Sequence, residues 1–66
     1  MTRVYVNGEA REVDLAATVR DVVRSFSDAS GVAVARNGEV VPRSAWDATA
    51  LEASDRLEIL TVAPGG

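Results

Sequence analysis

Val4 and Val6 alternate with Arg3 and Tyr5, which is the period of a half-buried strand, and Asn7-Gly8 follows at once. Both residues tolerate positive φ, as the two central positions of a type I′ turn require, so the stretch "RVYVNGEAREV" predicts a hairpin returning from Glu9 to about Val13. The returning half alternates poorly because Arg11 shares a face with Val13. The period then changes to that of a helix. Val19, Val22, Val23 and Phe26 fall at helical spacing with Arg20, Asp21 and Arg24 left for solvent. Thr18 and Asp21 form a variant capping box in which the threonine hydroxyl accepts from the first free amides, so the helix begins at Val19. "SDASG" ends it near Ser27.

The hairpin pattern then repeats. Val32 and Val34 alternate with alanines, Asn37-Gly38 turns the chain, and Val40-Val41 return as far as Pro42. "RSAWDATALEASD" has no clear period and predicts an irregular crossover with one helical turn, anchored in the core by Trp46 and Leu51. "RLEILTV" is a final strand with Leu57 and Ile59 facing the helix, which turns Leu60 and Val62 onto the open face of the sheet. The order β-β-α-β-β-β predicts an α+β fold: a mixed sheet of about five strands with one main helix packed on one face, a β-grasp arrangement. In it the chain returns after the helix to pair parallel with the first strand, and the apolar final strand is buried between the two hairpins.

The pattern predicts one domain over residues 1–66 with a projecting tail at 63–66. Pro64 cannot donate to a ladder and biases Ala63 toward extended geometry, so the strand stops by about Ala63. Gly65 and Gly66 carry no β-carbon, which lets the last carboxylate enter a narrow channel. A free carboxylate is a poor electrophile. Joined to AMP it becomes a mixed anhydride, open to attack by a sulfur nucleophile to leave a thiocarboxylate or by an amine to leave an amide, with ATP, magnesium and transition-state electrostatics supplied by a partner enzyme.

Composition narrows the chemistry. The chain has no cysteine and no histidine, so the usual thiolate and imidazole nucleophiles, acids and zinc or iron-sulfur ligands are missing; no metal site, bound cofactor or ordinary catalysis is expected. Formal net charge is -3, and all seven cations are arginines spread along the chain, so no footprint for nucleic acid is expected. No stretch approaches the roughly 20 apolar residues of a membrane span, and no secretory leader opens the chain, so a cytoplasmic protein is expected. Lysine is absent, so self-conjugation would need the N-terminal amine. Asp21 and Glu58 share no predicted pocket, and the Asn-Gly pairs are turns, not phosphate loops. Arg36, Arg43 and Arg56 are left outside the site as solvated or locally paired charges.

Over its full length the sequence resembles the ThiS-type sulfur carriers of thiamine biosynthesis, a ubiquitin-like β-grasp family. The resemblance rests on "VNGE" after the first strand, "TVRDVV" opening the helix, "VAVARNGEVVPRSAW" across the second hairpin, "DRLEIL" in the last strand and the terminal "GG". It implies that Gly66 is adenylated by a ThiF-like enzyme and converted to a thiocarboxylate using a sulfur donor protein, and that a thiazole synthase of the ThiG type receives the sulfur. The chain is then a co-substrate and not an enzyme. Gly65 and Pro64 are then expected to thread the partner's channel, while Leu60 and Val62 either dock against it or are only part of the sheet surface. Pro64, which deletes a backbone donor just before the glycines, departs from the family pattern. Related carriers serve molybdopterin, cysteine and secondary-metabolite synthesis, and a ubiquitin-like modifier uses the same tail; "PRSAW" favours the thiamine branch.

Overall fold

The computed structural model describes residues 1–26 and 31–61 of the chain. Five strands form one sheet: β1 (Thr2–Val6), β2 (Glu9–Val13), β3 (Val32–Arg36), β4 (Glu39–Val41) and β5 (Arg56–Thr61), in the order β2-β1-β5-β3-β4. The last strand lies in the middle, between the two hairpins. It runs parallel to β1 and antiparallel to β3. The parallel partner of β1 is therefore β5, and not the strand that follows the helix as the sequence pattern suggested. The reason is burial: Leu57 and Ile59 are more apolar than the alanine-spaced β3, and the central position removes them from water.

Both hairpins turn where the sequence places them. Asn7 and Gly8 have φ of 52° and 87°, Asn37 and Gly38 φ of 51° and 87°, values that fit a right-twisted two-residue loop and that a bulky or β-branched residue would resist. In β2 the register sets Arg11 opposite Val4 and Val13 opposite Thr2, so Glu9, Arg11 and Val13 lie on one face; the broken alternation is real.

The helix α1 (Val19–Phe26) buries Val19, Val22 and Val23 against the sheet. Phe26, grouped with them by spacing, is 38% exposed and lies outside the buried core. The Asp21 carboxylate accepts from the Thr18 amide at 2.9 Å, as the reciprocal half of a capping box should. The threonine hydroxyl donates to that same carboxylate at 3.3 Å and does not accept from a helix amide. The first helical amide, on Val19, is satisfied instead by the Thr49 carbonyl at 3.0 Å, part of a small bridge pairing Thr18 with Ala50. The predicted helix end near Ser27 and the strand end near Ala63 lie outside the described residues.

Between β4 and β5 the crossover is more regular than expected, six residues of 3-10 helix, η1 (Arg43–Ala48). Pro42 precedes it in extended geometry, a natural stop for β4 and start for a helical turn. Trp46 from this helix is the largest fully buried side chain, with its indole N–H donating to the Val41 carbonyl at 3.0 Å. Arg20 and Arg43 lie over its ring at 5.9 and 5.8 Å, and Arg20 also pairs ionically with Asp47, tying α1 to η1. The core is one cluster, Val4, Val6, Ala17, Val19, Val22, Val23, Val34, Trp46, Leu51, Leu57 and Ile59, between the sheet and the two helices.

Candidate functional site

β5 leads toward the residues singled out by the sequence. Its buried positions are Leu57 and Ile59, and strand alternation puts Arg56, Glu58 and Leu60 on the opposite, uncovered face. Leu60 is 63% exposed there, as predicted. It pairs with Ala33 on β3, whose small side chain leaves the leucine standing clear of its neighbour. Val62, Pro64, Gly65 and Gly66 lie outside the described residues.

One residue of this face escaped the sequence reading. Val40 is 77% exposed, opposite Ala35, and with Ala33, Ala35, Glu58 and Leu60 it lines an open depression across β3, β4 and β5. A signal for it was present in "EVVP". Adjacent strand residues face opposite sides, so one of Val40 and Val41 had to lie on the open face. Two large aliphatic groups over a floor of alanines make an apolar patch bordered by the Glu58 carboxylate, which suits contact with another protein better than it suits a polar small molecule.

At the amino end of β5 the polar groups are organised, and they fix where the strand begins. Asp55 is 5% exposed; its carboxylate accepts from Arg36 Nε at 2.8 Å, from the Glu52 amide at 2.8 Å and from the Asn37 side chain at 3.1 Å. Both turn asparagines act as extra ladder partners. Asn37 Oδ1 accepts from the Arg56 amide at 3.0 Å, and Asn7 both accepts from the Ile59 amide at 2.9 Å and donates to its carbonyl at 3.2 Å. Arg36, read from the sequence as a solvated or locally paired charge, is paired, and its partner is a buried acid 19 positions away. The signal was weak, since an aspartate ahead of a strand is usually a turn residue.

Burial pushes Asp55 up, but the hydrogen bonds from Arg36, the Glu52 amide and Asn37, with the Arg36 charge, outweigh it and hold the carboxyl below its usual range. Its folded value lies below its unfolded value. Its stabilising contribution is therefore complete above the unfolded value and disappears as pH falls through the folded one. Urea midpoints are expected to drop as pH is lowered from about 5 toward 2, and Asp55→Asn to make that decline shallower. An equal decline in the variant would assign it to other carboxylates.

Among the described residues no group of three His, Cys, Asp or Glu is placed to hold a metal ion, and no helix is long and apolar enough to cross a membrane. Asp21 and Glu58 are apart, one capping α1 and the other on the open face of β5. The described residues bring together an apolar face and a tightly held central strand, without a set of catalytic groups.

Comparison with known proteins gives this arrangement its relatives. Residues 4–66 match the ThiS family. The chain belongs to that family. It is a ThiS-type sulfur carrier with the ubiquitin-like β-grasp fold, and the match includes the glycine tail. A crystal structure of the thiamine biosynthesis protein ThiS from Geobacter metallireducens is similar at a TM-score of 0.81 and 33% identity, covering 98% of this chain and 100% of that one. An NMR solution structure of a thiamine biosynthesis protein from the same organism gives 0.76 and 33%, covering 98% and 88%. A thiazole synthase of Paramagnetospirillum magneticum is 35% identical over 65 residues, which are 97% of this chain and 20% of that protein. The chain thus spans about a fifth of the length of that curated relative.

Proposed function

We propose that this ThiS-type chain delivers sulfur for thiazole formation in thiamine biosynthesis, carrying it as a thiocarboxylate on Gly66. The observation that supports this most is the family match running through residue 66, on a fold whose central strand leads to the glycines beside an exposed apolar face. Similarity to a thiazole synthase supports an acceptor of that type.

In this reading a ThiF-like enzyme, using ATP and magnesium, lets a Gly66 carboxylate oxygen attack the α-phosphorus of ATP. Pyrophosphate leaves and an acyl adenylate remains. Sulfide-level sulfur, released by a sulfur donor protein, then adds as nucleophile to the acyl carbon; AMP departs with the bonding electrons, and the thiocarboxylate is left. Transfer of that sulfur to the thiazole synthase and hydrolysis regenerate the carboxylate. The chain is co-substrate throughout: it presents Gly65 and Pro64 to the partner's channel and docks through Leu60 and Val62, and we add Val40 because it is exposed on the same face as Leu60. The cytoplasm, where ATP and these partners are at hand, is its proposed location.

Intact-mass measurement on protein taken from its native cell tests this. The expected species ends at Gly66 and carries one sulfur in place of one oxygen, trapped by an alkylating reagent. Covalent attachment to other proteins would point to a modifier, and an unmodified terminus in thiamine-starved cells would reject the carrier reading.

The docking face gives a separate expectation. Leu60→Arg changes an exposed side chain with no core contact, so stability should shift by no more than about 0.5 kcal/mol. Affinity for the activating enzyme should fall about tenfold or more, as for a central apolar contact of an interface. Calorimetric titration with the purified enzyme checks both halves, and unchanged affinity would move the interface off this face.

A further inference from the structure

Asn37 and Asn7 each precede a glycine, the pairing least hindered toward attack of the next backbone nitrogen on the side-chain amide. In that reaction the nitrogen of the following glycine bonds to Cγ and the Cγ–Nδ2 bond breaks. Ammonia leaves, a succinimide remains, and water opens the ring to aspartate or isoaspartate. No enzyme or oxidant is needed. In this fold both asparagine amides are held at each end: Asn7 by the Ile59 amide and carbonyl, Asn37 by the Arg56 amide and the Asp55 carboxylate.

The two sites differ in what conversion would do. At Asn7 the acid loses a donor to a neutral carbonyl, 3.2 Å away. At Asn37 the new carboxylate meets the Asp55 carboxylate, whose Oδ1 lies 3.1 Å from the present amide nitrogen. Other charges facing that cluster are Arg36, already hydrogen-bonded to Asp55, with Glu52 4.0 Å from its Nη2, then Glu39 on β4 and Arg56, whose guanidinium lies over the Tyr5 ring. Arg36, the one arginine of these that is hydrogen-bonded to Asp55, would then face two adjacent carboxylates and two nearby glutamates.

We propose that Asn37 is a fold-guarded deamidation site: its amide is locked while β5 is docked, converts when the chain opens, and yields a product that Asp55 hinders from refolding. The Asn-Gly pair beside a buried acid makes opening of this small domain progressively irreversible.

Wild-type protein incubated at mildly alkaline pH, with and without urea, and mapped by peptide mass spectrometry should convert at Asn37 at least about tenfold faster in urea than in buffer. Equal rates would overturn the guarding role. For the product, folded-to-unfolded ratios of Asn37→Asp, Asn7→Asp, Asp55→Asn and the double variant Asn37→Asp/Asp55→Asn are compared by urea titration. Asn37→Asp should lower the ratio about tenfold more than Asn7→Asp near neutral pH, with the gap closing as pH falls toward about 4. The double variant should be more stable than the two single effects added together, because acid and amide have only exchanged places. Additive effects, or an Asn37→Asp chain as stable as Asn7→Asp, would remove Asp55 from the account. If Asn37→Asp does not fold at all, recovery of folding in the double variant still reads the same coupling.

Discussion

Removal of Gly66 is expected to abolish acyl-adenylate formation while leaving the fold and its urea midpoint unchanged. The residue lies beyond the last described strand residue, Thr61, and among the described residues the core cluster runs no further than Ile59. What is lost is reach: a carboxylate one residue short sits about 3.5 Å back from the phosphorus it must attack, and displacement by even ~1 Å from near-attack geometry costs on the order of a hundredfold in rate. Pyrophosphate release with the ThiF-like enzyme measures the first half and circular dichroism in urea the second. Retained turnover by the truncated chain would show that another group is activated. A Gly66→Ala variant, which keeps the length but adds a β-carbon, should activate slowly instead of not at all if thinness matters in its own right.

The second large effect concerns stability. Trp46→Ala is expected to unfold most of the population at ambient temperature. Trp46 is 1% exposed and fills the space between η1 and α1, and truncating a buried tryptophan costs about 3–5 kcal/mol. A small domain of this kind has only about 5 kcal/mol to lose. Trp46→Phe should be far milder, losing the indole bond to Val41, worth about 0.5–1.5 kcal/mol, while keeping most of the packing. Far-ultraviolet circular dichroism across a urea series separates the two. If Trp46→Ala stayed as stable as Trp46→Phe, the side chain would be a lid on the core and not part of it.

Much of this fold was legible in the sequence because its punctuation is strong. Two Asn-Gly turns, a switch of period at Val19 and the apolar Leu57, Ile59 and Leu60 fix both hairpins, the start of the helix and the last strand within a residue or so. The apolar richness of the last strand also put it between the two hairpins, where the structure has it. What the local pattern did not give is that this placement makes β5, and not the first strand after the helix, the parallel partner of β1. The regular η1 was hidden for a related reason: a 3-10 helix of two turns carries too short a repeat to stand out. At the site, Leu60 followed from alternation along one strand, whereas the partnership of Arg36 with Asp55 spans 19 positions and depends on β3 and β5 being neighbours. The double use of the turn asparagines was also invisible. A type I′ turn explains an Asn-Gly pair completely, so nothing local asks for further hydrogen bonds to β5.

β5 is flanked by a neighbour on each side; Asn37 and Asp55 fasten its amino end and Asn7 holds its middle at Ile59. Tension applied along such a strand from its carboxyl end acts in shear, loading the ladder bonds to β1 and β3 together, where an edge strand pulled sideways would open one bond at a time. If a partner enzyme draws the tail taut, as the proposed function requires, the pull falls on a strand bonded on both sides, and the chain could be gripped by that end repeatedly without being unravelled.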